Sequence, residues 1–156
     1  MQLMPLFVFI LILWHFVCDW LFQTHKEAMA KSTNWRVRLW HCTKYALPFW
    51  PLLHFMGMNN VRIVHSVVIL FVSHFVIDTY IPVMLWAKYL RRAPEFDVVK
   101  WLPGGWEDKK LEARKVTNVE AFKAMMSTPL GLILGITMDQ FFHLCFIAPV
   151  AYLLAK

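Results

Sequence analysis

The sequence predicts an all-α membrane protein, an up-down bundle of about four transmembrane helices whose cytosolic connection carries short interfacial helices. Three observations lead there. Of the 156 residues, 59% are apolar and only 17% are charged, whereas a soluble domain carries about 45–50% and about 25%. The apolar residues fall in stretches long enough, at about 1.5 Å per helical residue, to cross a hydrocarbon core of about 30 Å. Lysine and arginine fall in the connections between those stretches, which is the positive-inside pattern.

The first span covers 3–22. Ala28-Met29-Ala30 resembles a signal-peptidase site, but no Lys or Arg precedes the apolar stretch, and His15 and Asp19 interrupt it, so the span reads as retained. A polar connection with Lys26, Lys31, Arg36 and Arg38 follows, where Thr33 or Asn34 can cap the next helix. The second span, 37–56, is the least apolar, and Pro48 and Pro51 predict a kink or a break in it. Gly57-Met58-Asn59-Asn60 is a tight turn. The third span, 61–89, is long enough to tilt or to pass the interface, with a bend at Pro82.

Residues 91–129 form the one substantial connection. It opens on Arg91-Arg92 and turns at Pro103-Gly104-Gly105. A charged helical pattern then covers 107–116, and Val119, Phe122 and Met126 stand at the spacing of an interfacial helix. Pro129 starts the fourth span, 130–154. The whole chain, 1–156, reads as one transmembrane domain, with the basic connections cytosolic and both termini outside.

Several function classes fall away. The net charge of +6 resides in the connections, so it points to membrane lipid headgroups and not to nucleic acid. Cys18, Cys42 and Cys145 all lie in apolar segments without a Cys-x-x-Cys spacing, and read as small buried hydrophobes. There is no phosphate-binding glycine loop and no Gly-x-Ser-x-Gly turn.

What remains is a constellation of ionisable residues at membrane depth. The chain has five Asp residues, of which Asp97 and Asp108 lie in the long connection. The others lie within spans, each with a His four residues away: His15 with Asp19, His74 with Asp78, and Asp139 with His143. Residues i and i+4 share a helix face, and ionisable groups inside a membrane are costly and therefore candidates for function. In an up-down bundle these six and His41 all fall in the inner to middle zone. Four imidazoles and three carboxylates suit a divalent transition metal (zinc, manganese or iron), as one or two ions, whose charge would offset the carboxylates.

The candidate ligands are therefore His15, Asp19, His41, His74, Asp78, Asp139 and His143. Asp139 is either a ligand or the general base that takes a proton from water at the metal. Gln23, one turn past Asp19, is a candidate to hydrogen-bond a substrate. Lys44 reads as a snorkelling side chain, and His25, His54 and His65 as interfacial residues. These residues predict a metal-dependent hydrolase acting on a lipid-like or amphiphilic ester, amide or phosphoester. Two other readings stay open. One is a non-enzymatic scaffold or assembly subunit that meets a protein partner or a second copy of itself; the other is a proton or ion conduit.

The runs His15-Phe-Val-Cys-Asp19-Trp-Leu-Phe-Gln23-Thr24, Met29-Ala30-Lys31, and His41 with Tyr45 resemble the opening of a family of small bacterial and phage membrane proteins of unassigned function. Ser73-His74-Phe-Val-Ile-Asp78 and Met138-Asp139-Gln140-Phe-Phe-His143 resemble its later blocks. The resemblance runs through all four spans in order and leaves out the connection 91–129. Phe22 stands where that family often has Leu. The family is similar in layout to inner-membrane metal-dependent hydrolases, and this resemblance implies the metal site without implying a substrate.

Overall fold

The computed structural model describes residues 4–92 and 117–154, and every regular element among them is helical. The expected turn at Pro103-Gly104-Gly105, the helical pattern over 107–116, and Asp97 and Asp108 lie outside the described residues. By internal packing the chain divides into two compact units, Met1–Pro82 with Asp139–Lys156, and Val83–Met138.

In the first unit, α1 (Met4–Phe16) runs without interruption into a single π-helical turn, Val17–Leu21. The short α2 (His25–Ala30) starts from a capping box, in which the Thr24 hydroxyl accepts from the Glu27 N–H and the Glu27 carboxylate accepts from the Thr24 N–H. Asn34 caps α3 (Trp35–Ala46), accepting from the N–H groups of Arg36 and Val37. The expected break falls at Leu47-Pro48, after which α4 (Phe49–Phe55) carries Pro51 in its first turn, where no intrahelical N–H is needed. A carbonyl freed by the break, that of Pro48, accepts from the indole N–H of Trp14 at 3.2 Å.

Gly57 ends α4 with a φ of +87°. The N–H groups of Gly57 and Met58 donate back to the carbonyls of His54 and Leu53, both at 3.0 Å, which closes a Schellman motif and reverses the chain in two residues. Asn59 then caps α5 (Asn60–Ile77).

The third expected span differs from its sequence reading. A continuous helix over 61–89 bent at Pro82 is not formed; α5 stops at Ile77, Asp78 caps it, and Tyr80 takes a φ of +59° before α6 (Ile81–Leu85) begins. Pro82 sits inside the new helix start, where its missing N–H costs nothing. The break is thus a turn at Asp78–Tyr80 and not a proline kink.

Leu11 of α1, Phe49 and Leu53 of α4, Ile63 and Leu70 of α5, and Ile147 and Val150 of the last helix pack into one apolar cluster. That last helix, α9 (Ile147–Leu154), follows α8 (Pro129–Cys145) after a one-residue interruption at Phe146. The chain in between contributes the second unit, where α7 (Asn118–Met126) starts from a Thr117–Glu120 capping box. There Ala87 and Met125 are buried against Trp86, Phe122 and Met126, while Val119 stays exposed. Cys18 and Cys42 are buried and Cys145 is exposed, all three with free thiols.

Two stretches of the described residues, Asn60–Ile77 and Pro129–Leu154, are long and apolar enough to cross a membrane; Pro5–Leu21 and Ile81–Leu90 are apolar but shorter. The second expected span drops out of that class because Pro48 divides it and Arg38, His41 and Lys44 dilute it. Helix α5 buries Ile63, Leu70 and Ile77, yet it also exposes apolar residues and buries polar ones. Val61, Val64, Val68, Val72 and Val76 form an exposed stripe along its length, while Ser66, Ser73 and His74 face inward.

The left-handed backbone of Gly57 gives the first prediction. Gly57→Ala forces a side chain into a conformation that costs about 1–2 kcal/mol, so the variant melts at a lower temperature in detergent. An unchanged melting temperature would mean that the turn re-forms with another residue in that position.

Candidate metal centre

All seven candidate ligands are buried, and none is more than 7% exposed. Asp19 lies in the π turn that ends the α1 rod, His41 lies on α3, His74 and Asp78 end α5, and Asp139 and His143 lie on α8. One group of donor atoms is tight. His41 Nε2 and His74 Nε2 are 2.9 Å apart, and Asp19 Oδ1 stands 3.2 Å from the first and 3.4 Å from the second. Asp78 Oδ2 approaches the same two nitrogens at 3.4 and 3.5 Å.

These spacings fit a metal. Ligand bonds of about 2.0–2.1 Å in a tetrahedron put neighbouring donor atoms about 3.3 Å apart. A second group, His74, Asp78 and His143, also has donor atoms close enough to share an ion. It is looser, with His143 Nε2 at 3.8 Å from Asp78 Oδ1. His143 Nδ1 donates to the Asp139 carbonyl at 2.9 Å, which fixes the tautomer and leaves a bare Nε2 lone pair with no hydrogen-bond partner among the described residues.

Three of the sequence candidates stand outside both groups. Both ring nitrogens of His15 are used. Nδ1 accepts from the Tyr45 hydroxyl at 2.9 Å, and Nε2 donates to Gln140 Oε1 at 3.1 Å. Gln140 in turn donates from Nε2 to Asp19 Oδ2 at 3.2 Å and to Asp139 Oδ2 at 3.3 Å. A directed chain therefore runs from Tyr45 through His15 and Gln140 to Asp19, and holds that carboxylate in position. Asp139 borders the centre through Gln140, with its Oδ1 buried and without a hydrogen-bond partner among the described residues. Gln23 is half-buried, and its Oε1 likewise has no hydrogen-bond partner among them.

The residue that sequence reasoning missed is Lys31. It is only 5% exposed, and its Nζ lies 2.9 Å from Asp78 Oδ1, 3.3 Å from His41 Nε2 and 3.5 Å from Asp19 Oδ1. Burial opposes the charge on Lys31, but the Asp19 and Asp78 carboxylates outweigh it and raise its pKa above the ordinary lysine value. In the sequence Lys31 looked like one more charge of a basic connection. The available signals were its place in the Met29-Ala30-Lys31 run, and those of Tyr45 and Gln140 beside His41 and Asp139.

Lys44 also differs from its sequence reading. It binds both Glu27 carboxylate oxygens at 2.7 Å and the Phe22 carbonyl at 2.9 Å, tying α3 to α2 and to the end of the α1 rod. Burial works against the Glu27 carboxylate, but the Lys44 hydrogen bond and those from the Thr24 N–H and hydroxyl bring its pKa down to about 2. His25, His54 and His65 are exposed and take no part in the centre.

The profile of a family described as "Protein of unknown function (DUF3307)" matches residues 7–101. The match covers more than half of the chain, and the chain belongs to that family. It takes in His15, Asp19, Lys31, His41, His74 and Asp78, and ends before Asp139, Gln140 and His143. No curated protein and no solved structure is recognisably similar.

Two predictions follow from the charges. Asp78→Ala removes the nearest partner of a buried ammonium, a change that costs about 3–5 kcal/mol, and Asp78→Asn costs less; thermal melts in the presence of chelator compare them. Glu27 contributes stability above its ordinary pKa of 4.5 and loses it as the pH falls through about 2. The melting-temperature gap between wild type and Glu27→Gln should therefore close over that interval. A gap that stays constant would show that the Lys44 ion pair does not stabilise the fold.

Proposed function

We propose that the chain is a metal-dependent hydrolase embedded in the bacterial inner membrane, acting on an amphiphilic ester, amide or phosphoester that reaches it from the cytosolic leaflet. The observation that carries this reading is the convergence of Asp19 Oδ1, His41 Nε2 and His74 Nε2 at 2.9–3.4 Å in a buried polar pocket. Asp19, Asp78 and Asp139, if ionised, exceed Lys31 by two negative charges, and a divalent cation balances that excess.

The membrane assignment extends the two long apolar helices to four spans: the α1 rod, α3 with α4, α5 with α6, and α8 with α9. Only 28% of each long helix is buried within the protein, whereas a core helix of a soluble protein is mostly covered. The valine stripe of α5 suits lipid, and the inward polar face suits a site shielded from it. In this arrangement the connections rich in Lys and Arg face the cytosol.

A divalent ion held by these residues would polarise a carbonyl or phosphoryl oxygen and make water a stronger acid. The chain's own groups supply the rest. Gln140, oriented by His15, fixes Asp19. His143 presents its Nε2 lone pair and Asp139 its Oδ1, so both are placed to accept a proton from water. A largely apolar groove of about 610 Å³, lined by Val68, Val72, Ser73, Val76, Ile77 and Phe142, suits an acyl chain. Ser73, Ile77 and Phe142 each adjoin a candidate ligand in sequence, namely His74, Asp78 and His143.

A scaffold reading draws on a different observation. Lys31 already neutralises part of the buried charge, and His15 is fully hydrogen-bonded, so the polar groups could simply hold the helices together. Metal content separates the two. Detergent-purified wild type should carry tightly bound transition metal that His74→Ala/Asp78→Ala lacks, and a panel of ester and phosphoester amphiphiles should be cleaved in a chelator-sensitive way. A folded wild type that neither contains metal nor takes it up would sink the hydrolase and leave the scaffold.

A further inference from the structure

The two groups of donor atoms share His74, and on ligand type alone each could take an ion. They differ in what already occupies their oxygens. In the tight group, Asp78 turns Oδ2 towards His41 and His74, at 3.4 and 3.5 Å. In the loose group the oxygen facing His143 is Asp78 Oδ1, at 3.8 Å, and that same oxygen holds the Lys31 ammonium at 2.9 Å. A second ion bridging to His143 would have to displace Lys31 from it.

Lys31 Nζ also lies 3.3 Å from His41 Nε2 and 3.5 Å from Asp19 Oδ1, both longer than its 2.9 Å contact with Asp78 Oδ1. Its position is built into the fold. Lys31 is the C-cap of α2, its N–H donates to the Glu27 carbonyl, and the Glu27 side chain is clamped by Lys44.

We propose that the centre binds one divalent ion and not two, in the Asp19, His41 and His74 group, and that the Lys31 ammonium is the permanent occupant of the second cation position. This rests on the metal centre proposed above and goes further by fixing its stoichiometry and its place. It makes His143 a bystander to the ion, free to act as a base, for as long as Lys31 is present. Removing the ammonium opens the second position: Asp78 Oδ1 and His143 Nε2, which the first ion does not use, can then hold an ion of their own.

The test counts ions. Detergent-solubilised protein is stripped with chelator, incubated with zinc, desalted and measured by mass spectrometry. Wild type and Lys31→Arg should hold one zinc per chain. Lys31→Met should hold two, and Lys31→Met/His143→Ala should return to one. Lys31→Gln, which keeps a polar side chain, serves if the methionine variant does not fold. Loading wild type with manganese adds a second readout, since one ion gives an uncoupled paramagnetic resonance spectrum and two adjacent ions a coupled one. Two zinc ions in wild type, a coupled spectrum, or a single ion in both Lys31→Met and Lys31→Gln would overturn the assignment of Lys31 while leaving a metal centre in place. No zinc in any of the proteins would overturn the metal centre itself, and this inference with it.

Discussion

Asp19 and Asp78 sit at the C-terminal ends of two helical segments, where the last carbonyl groups already carry partial negative charge. Their carboxylates therefore meet three penalties at once: desolvation, mutual repulsion and an unfavourable helix dipole. A fold retains such an arrangement only if positive charge is brought to the same place. The disposition of α2, α3 and the turn after α5 is intelligible as the means of bringing it there.

The short α2 is the clearest case. Six residues are too few for a stable isolated helix, and α2 buries no residue of its own. It persists through its capping box and through the Lys44 strap onto Glu27, both exposed or half-exposed polar contacts. What it delivers is the Lys31 ammonium, carried inward at its C-terminal end. On the opposite side of the bundle no such device is needed, since Leu11, Phe49, Leu53, Ile63, Leu70 and Ile147 pack as an ordinary apolar core. The polar half of the bundle is thus ordered by electrostatics and the apolar half by shape.

Much of this was legible in the sequence, for definite reasons. The helical class, the Gly57 turn, the Asn34 cap and the Pro48 break each follow from one residue's backbone chemistry, and local chemistry is what a sequence displays. The His–Asp spacing, together with the membrane depth of His41, also picked out the five of seven candidates that meet in two groups of donor atoms. His15 fell outside them because the i, i+4 rule assumes a uniform α-helix, whereas the chain widens into a π turn between His15 and Asp19. Lys31 was missed because nothing local distinguishes a lysine bound for the interior from one bound for water. The end of α5 at Ile77 was missed because the apolar run continues past it, and only the polar demand at Asp78 interrupts the helix.

That π turn sets a limit on how the chain can change. A π turn accommodates one residue more than the α-helical ladder would, and it confines the misfit to Val17–Leu21. Losing one residue from that stretch would restore a regular ladder and leave His15 and Leu11 close to their present phase. A residue lost from the regular ladder of α1 would instead turn everything before it by about 100°. The π turn is thus where the first helix tolerates a change of length, and the α1 ladder before it is where the helix does not.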